Sequence, residues 1–170
     1  GYATTDDPFM PITAISCYMG WTDQLVTFAV PPKTLSMKDA EILTERFPNT
    51  LLFEKEKDML DAFLQVVDEA DILSGWNSEG FDIPYMVNRI ARVLGKEHTR
   101  RFCLWGKYPN RREFERYGKA QETYDTVGRL HLDYMELYRK YTYHEMHSYS
   151  LDAIGEYELG ERKTEYQGTL

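Results

Sequence analysis

The chain has 170 residues, 42% hydrophobic and 14% aromatic, which is enough to bury one domain-sized core and excludes general disorder. Its formal net charge of −8 argues against a domain that grips duplex DNA through its overall field, but not against a nuclease whose carboxylates bind metal. No apolar run is long enough to cross a bilayer and no signal peptide is evident, so we expect an intracellular protein that is not secreted and has no membrane partner.

The first 70 residues are predicted to form a loop, a strand pair and two helices that flank a short strand. The two paired segments are rich in β-branched and aromatic residues, and a connection of hairpin length separates them. Ser36, with an aspartate three residues later, resembles a capping box at a helix start. The predicted elements are a loop at 1–11, strands at 12–19 and 25–30, a helix from Ser36 to about Arg46, a strand at 51–53 and a helix at 56–70.

The stretch 71–95 is predicted to form a strand, a loop and a helix. The run 72–76 is mostly apolar without polar alternation, which favours a strand covered on both faces. Residues 77–80 form the turn, and Pro84 is expected at the first helical position, where a missing N–H costs nothing. Asp82 therefore lies beside a helix N-terminus, just past a strand end, which is where open α/β sheets bind ligands.

Residues 96–126 form the only basic stretch with interleaved aromatic residues. Such a mixture can follow a single strand of nucleic acid through phosphate contacts and base stacking. A solvated loop or hairpin whose charges face water has the same composition, and we favour that second interpretation while leaving both open. The candidate nucleic-acid-binding residues are Arg100, Arg101, Arg111 and Arg112, set among Trp105, Tyr108, Phe114 and Tyr117.

The last part of the chain predicts a strand at 130–133, a helix at 134–143 and a second helix capped by Ser148 or Ser150. Hairpin-paired strands followed by strand–helix alternation predict an α/β fold with a mixed sheet. The expected organisation is one partial domain with a strand pair at 12–30, a core strand–loop–helix at 71–95, a basic aromatic insert at 96–126, a strand–helix unit at 129–143 and a helix at 150–159.

Isolated cysteines and histidines do not predict a metal site. Cys17 and Cys103 belong to no CxxC pair and are expected to be ordinary buried or half-buried thiols. His144 and His147 are three residues apart, yet no third ligand is placed near them. His131, in a strand, is expected to be packed or hydrogen-bonded.

The segment from Trp76 to Tyr85, WNSEGFDIPY, resembles the second exonuclease motif of family B DNA polymerases. In that motif an Asn is followed by an aromatic residue and an Asp, often with Ile or Val, Pro and Tyr after it. Residues 132–140 and 148–163 are similar to later segments of the same domain, particularly in T4-like phage polymerases. The resemblance implies a ribonuclease H-like (DnaQ-like exonuclease) fold, a mixed sheet with flanking helices, here with its first strand missing.

The resemblance also implies a chemistry. Members of the family hydrolyse the 3′-terminal phosphodiester with two divalent metals, and hard oxygen ligands suit Mg²⁺ or Mn²⁺. Asp82 matches the motif aspartate, which makes it the candidate catalytic and metal-binding residue. Asn77 and Phe81 match neighbouring positions that shape the site and the path of the substrate strand. The implied partners are a single-stranded DNA 3′ end and the remaining polymerase domains.

Three of the family's four acidic metal ligands have no counterpart in the chain. An Asp-x-Glu pair is expected before residues 1–11, and a Tyr-x-x-x-Asp helix is expected beyond Leu159 and Gly160. Asp133 follows its strand in a structural position of the family pattern and does not replace either. We therefore expect an internal fragment without nuclease activity of its own, whose exposed sheet edges favour self-association.

Two functions of different classes remain open. The first is a fragment of the proofreading 3′→5′ exonuclease domain of a DNA-directed DNA polymerase involved in DNA replication, either cytoplasmic or phage-encoded. The second is a catalytically silent nucleic-acid-binding or interaction module of the same fold. A stand-alone exonuclease is a weaker alternative, because the similarities at 132–140 and 148–163 favour polymerases.

Overall fold

The computed structural model of the protein describes residues 3–116 and 118–165. Outside the described residues lie Gly1 and Tyr2 of the predicted N-terminal loop, Tyr117 of the basic insert, and residues 166–170. The elements are β1 (Ala14–Met19), β2 (Gln24–Ala29), α1 (Met37–Thr44), β3 (Thr50–Leu52), α2 (Glu56–Glu69), β4 (Ile72–Gly75), α3 (Asp82–Val93), a 3₁₀ helix (Lys96–Phe102), β5 (Asn110–Arg116), β6 (Lys119–Asp125), β7 (Leu130–Asp133), α4 (Tyr134–Tyr141) and α5 (Leu151–Leu159).

The strands form three small sheets. Strands β1 and β2 are antiparallel, with Ala14 opposite Ala29, and β3 adds in parallel to β2. Strands β4 and β7 form a parallel pair that places Gly75 opposite Asp133, and β5 and β6 form an antiparallel hairpin. The α/β class and the mixed strand directions agree with the prediction, but the strands do not form one sheet. Within the described ranges, β1 pairs only with β2 and β4 only with β7.

The core lies between α2, α3 and the three-stranded sheet. The buried stripe of α2 packs against α3 and against Phe28 of β2 and Phe102 of the 3₁₀ helix. Full burial of one large aliphatic or aromatic side chain stabilises a fold by roughly 1.5–3 kcal/mol, so this cluster fixes the direction in which α3 starts. Its buried residues are Phe28, Met59, Leu60, Phe63, Leu64, Val67, Ile83, Val87, Ile90 and Phe102.

Two details of the central stretch differ from the prediction. Strand β4 is not covered on both faces, because exposed and half-buried residues alternate along it and Ile72 is 53% exposed. Helix α3 begins at Asp82, so Pro84 is its third residue and not its first. The proline is still tolerated there, because the first four N–H groups of a helix have no partner within the helix.

Helix α3 holds the N-terminal segment through polar side chains. The Arg89 guanidinium donates to both carboxylate oxygens of Glu56, at 2.8 and 2.6 Å, and to the carbonyls of Pro8 and Phe9. The same Glu56 carboxylate accepts the Ile12 N–H at 2.8 Å. A buried pair with this many hydrogen bonds fixes where the chain enters β1.

The remaining elements agree with the predictions apart from small changes at their ends. The basic insert contains the 3₁₀ helix and the β5–β6 hairpin. Ser150, and not Ser148, caps α5, since its hydroxyl accepts the Ala153 N–H at 3.2 Å. Of the helices in the described part of the chain, none is both long and apolar enough to cross a membrane.

Candidate active site

The loop that joins β4 to α3, residues 76–81, carries the motif residues. Asn77 adopts a left-handed backbone with φ of 59°, which asparagine tolerates better than most residues. Its carbonyl accepts the N–H groups of Gly80 and Phe81, at 3.2 and 3.1 Å, and the Ser78 carbonyl accepts that of Ile83 at 2.9 Å. These turns bring Asp82 to the first position of α3, directly beyond the strand end.

Asp133, at the end of the neighbouring strand β7, accepts hydrogen bonds from the backbone of the loop. Its buried carboxylate accepts the N–H groups of Asn77 at 3.0 Å and Glu79 at 3.1 Å, and also that of Met135 at 3.0 Å, where it caps α4. Since backbone donors already occupy both oxygens, Asp133 serves as a structural acceptor in the geometry seen here. This arrangement agrees with the structural position expected for it.

Asp82 as a whole residue is exposed at the N-terminus of α3, but its carboxyl group is partly shielded from water. Loss of surrounding water raises the pKa of Asp82, the nearby negative charge of Asp133 raises it further, and a hydrogen bond to its own backbone lowers it. A carboxylate that the protein solvates poorly gains from a cation, so the electrostatics are compatible with a metal ligand.

Phe81 precedes Asp82 and offers a flat surface beside it. The ring is half exposed and stacks on Tyr85, with centroids 5.4 Å apart and an interplanar angle of 28°. An exposed aromatic ring such as Phe81, supported by the half-buried Tyr85, can stack on a nucleic-acid base without regard to sequence. That Phe81 shapes the path of a strand stays a prediction.

The Asn77 side chain points to the β5–β6 hairpin. Its Oδ1 accepts a hydrogen bond from Nη1 of Arg116, so the amide joins the loop to the hairpin. The structure therefore places Asn77 and Phe81 on the loop and Asp82 at the helix start that follows it, with the Asn77 side chain directed to the hairpin.

The four predicted nucleic-acid-binding arginines all have partners within the chain. Arg101 pairs with Asp61 and Asp68, Arg111 with Glu122 and Asp6, and Arg112 with Glu79 and Asp125. Arg100 donates to the Gly106 carbonyl and lies over the Tyr108 ring. A phosphate would therefore have to compete with these interactions or use the N–H donors that they leave over.

A cleft of about 840 Å³ opens between the hairpin, α4 and the segment that follows α4. It reaches the motif loop at Glu79 and contains Phe114 and Tyr143, the latter fully exposed. Acidic and basic side chains are mixed along its walls, so the cleft has no single sign of charge.

The two cysteines, His131 and His144 have structural contacts in the described residues. Cys17 and Cys103 are free thiols, half-buried and buried as expected, and burial raises the pKa of Cys17 to about 11. His131 is hydrogen-bonded, with Nε2 2.9 Å from the Ser78 hydroxyl. The His144 ring packs against Tyr157, and the described residues contain no group of three or more His, Cys, Asp or Glu able to hold a metal ion.

Arg116 lies in the basic insert but is not among the residues predicted to bind nucleic acid. The residue is buried and contacts the motif loop. A signal was present, because Arg112, Phe114 and Arg116 recur at a period of two, which places them on one face of a strand.

Comparison with known proteins gives a consistent set of relatives. Residues 4–154 match the family model described as DNA polymerase family B, exonuclease domain. The chain is 33% identical over 120 residues to the DNA-directed DNA polymerase of Enterobacteria phage T4 and 37% identical over 120 residues to that of Escherichia phage RB69. It is 28% identical over 134 residues to the DNA polymerase delta catalytic subunit of Bos taurus.

These alignments cover 69% of the chain in each case, but only a small part of each relative. The chain spans 13% of the length of the two phage proteins and 11% of the length of the bovine subunit.

Proposed function

Because the chain belongs to the exonuclease-domain family of family B DNA polymerases, we propose that it forms part of the proofreading 3′→5′ exonuclease unit of a DNA-directed DNA polymerase that acts in DNA replication. The match confirms the family identified from the motif. The observation that carries the proposal is the position of Asp82, at the surface next to the stacked Phe81 and Tyr85 rings and directly beyond a parallel strand. Two phage relatives at 33% and 37% identity support a phage-like polymerase of intracellular location.

The proposed fold is ribonuclease H-like, with the chain as a single partial domain. The antiparallel pair β1–β2, the parallel pair β4–β7 and the flanking helices support it.

The described residues do not by themselves fit a two-metal centre, because no three candidate ligands come together. The metal ions, when bound, would act as Lewis acids that activate the attacking water and stabilise the leaving oxygen. We propose that Asp82 provides one ligand to Mg²⁺ or Mn²⁺ and that other parts of the polymerase provide the rest. No catalytic step is therefore assigned to this chain alone.

The proposed substrate is the single-stranded 3′ end of DNA. Phe81 and Tyr85 present a stacking surface beside Asp82, which would hold the terminal bases while the carboxylate faces the backbone. The arginines at 100, 101, 111 and 112 are proposed secondary contacts, at which a strand would compete with their present ion-pair or hydrogen-bond partners.

A catalytically silent nucleic-acid-binding or interaction module is the second candidate. The lack of a metal-ligand cluster in the described ranges favours it. It differs from the first proposal in where nucleic acid should bind, because it relies on the basic insert and not on the motif loop.

NMR titration of the isotopically labelled chain with a short single-stranded oligonucleotide separates the two candidates. The exonuclease proposal predicts shifts centred on residues 80–85. It also predicts that Phe81→Ala weakens binding about fivefold or more, since one stacked base contributes roughly 1–3 kcal/mol. Phe47→Ala is the matched control, because Phe47 is 53% exposed compared with 50% for Phe81, on a different element. Shifts confined to residues 100–112 that are insensitive to Phe81→Ala would favour the silent module.

The same preparation should show no metal-dependent trimming of a labelled 3′ end. One candidate ligand is insufficient for two-metal chemistry, so the wild-type chain and Asp82→Ala should both remain at background in Mg²⁺ and in Mn²⁺. Trimming by the wild-type chain that Asp82→Ala abolishes would show that these residues assemble a complete site.

A further inference from the structure

Arg116 is the most deeply buried arginine among those of the basic insert. Its side chain is 5% exposed, whereas the side chains of Arg111 and Arg112 in the same strand are 58% and 40% exposed. A buried guanidinium is costly unless its donors are satisfied, so the position of its partners shows what the residue does.

Those partners surround the motif loop. Nη1 donates to Oδ1 of Asn77, and Nη2 lies 3.4 Å from Oδ2 of Asp133. The same Nη2 lies 3.0 Å from Glu136 of α4 and 3.7 Å from Glu79 of the loop. The planar guanidinium fork of Arg116 thus links the hairpin to the loop, to the end of β7 and to α4. The ammonium group of a lysine could not make these contacts with the same geometry.

The loop is fitted closely around this guanidinium. A Cβ on Gly80 would lie 2.7 Å from Nη1 of Arg116 and 2.8 Å from Oδ1 of Asn77, so a larger residue there would have to displace these two side-chain groups. Asp133, which contacts the same guanidinium, also accepts the N–H groups of Asn77 and Glu79. Asp133 and Arg116 therefore hold the loop together, immediately before Phe81 and Asp82.

We propose that Arg116 is a positioning residue of the exonuclease site, which holds the 77–80 loop in the conformation that presents Phe81 and Asp82 and thereby makes the site depend on the docked β5–β6 hairpin. The importance of this role for catalysis rests on the proposed function. The positioning itself is a property of this chain and is testable without nuclease activity.

The test is amide hydrogen exchange on the 170-residue chain, comparing Asn77 and Glu79 with core amides of α2 such as that of Leu64. In Arg116→Met the loop amides should exchange about tenfold faster relative to the core amides. In Arg116→Lys the loop amides should recover only in part, because the charge is kept but the fork is lost. The matched control is Arg111→Met, which replaces an exposed arginine of the same strand. It should change the exchange rates of neither the loop amides nor the core amides.

Several outcomes would overturn the proposal. Equal acceleration of loop and core amides would show only general destabilisation, and unchanged loop exchange would show that Asp133 alone holds the loop. Full recovery in Arg116→Lys would show that charge, and not the fork, matters. If Arg116→Met does not fold, Arg116→Lys takes its place. The proposal then requires that the ratio of loop-amide to core-amide exchange rates in Arg116→Lys exceed that in Arg111→Lys by at least about threefold. The oligonucleotide titration can fail independently, because exchange requires no ligand.

Discussion

The buried carboxylate of Asp133 connects the motif loop, helix α4 and the β5–β6 hairpin at the candidate site. It accepts three backbone N–H groups and lies 3.4 Å from the Arg116 guanidinium. Removal of one partner of a buried, hydrogen-bonded charge leaves the other donors unsatisfied.

We therefore expect Asp133→Ala to lower the free energy of unfolding by roughly 3–5 kcal/mol in urea denaturation. Asp125→Ala removes a partner of Arg112 that is 52% exposed, and should cost at most about 1 kcal/mol. A loss at Asp133 no greater than that at Asp125 would contradict the structural role assigned to Asp133.

His131 should make stability depend on pH. Burial lowers the pKa of His131 below its ordinary value of 6.5, the charge of Arg112 acts in the same direction, and Glu79 and Asp133 oppose it. The unfolded chain therefore takes up a proton at a higher pH than the folded chain does. The stability due to this residue is present above pH 6.5 and is lost as the pH falls through the lower, folded pKa.

Urea denaturation at pH 7.5 and pH 5.5, on the wild-type chain and on His131→Gln, measures this contribution. The wild type should lose more stability on acidification than the variant does, because only the wild type carries the shifted group. Equal losses would mean that His131 has the same pKa in the folded and unfolded states.

At the scale of elements, helix α3 is attached to the N-terminal segment by Arg89 and Glu56, whose side chains are 10% and 14% exposed. Arg89→Met should lower the free energy of unfolding by roughly 3–5 kcal/mol, because Glu56 is left largely buried without its partner. Arg92→Met, which removes an exposed pair with Asp7 from the same helix, should cost at most about 1 kcal/mol. Similar costs for the two variants, measured in urea, would contradict the anchoring role.

The elements themselves could largely be predicted from the sequence. The period-3.6 stripe of α2, the Ser36 cap and the hairpin spacing of β1 and β2 are local signals, and each is found in the structure. The burial of Arg116 was not predictable in the same way. Its partners at 77, 79, 133 and 136 come from other elements, and only the folded contacts distinguish it from its exposed neighbours Arg111 and Arg112. The two-sided burial expected for β4 failed for the same reason, since coverage depends on neighbouring elements.

At the candidate site too, some features could be predicted from the sequence and others depend on contacts made in the fold. The motif placed Asp82 at a helix start after a strand, and the structure has it there. The pKa of Asp82 is raised mainly by burial and further by the charge of Asp133, and the conformation of the loop depends on the hydrogen bonds that Asp133 accepts. Both effects need contacts with residues that are distant in sequence.

At the scale of the whole molecule, the sheets have edges that pair with no other strand among residues 3–116 and 118–165, and they carry exposed apolar side chains. Ile72 and Leu130 lie opposite each other in register on β4 and β7, and each is 53% exposed. Such edges and patches favour pairing with another copy. Light scattering should therefore show a molar mass that rises with concentration, and Ile72→Lys should reduce the rise. A monomer at every concentration would contradict this prediction.

The most direct test of the proposed function is 3′-end trimming by a polymerase that contains these 170 residues. Asp82→Ala should reduce trimming of a single-stranded end by about 100-fold or more, since a metal ion contributes several kcal/mol to the transition state, and should leave DNA synthesis intact. Asp58→Ala, which removes an exposed acid from the first turn of α2, is the control and should leave both activities unchanged. Trimming that persists in Asp82→Ala would contradict the assignment of Asp82 to the exonuclease site.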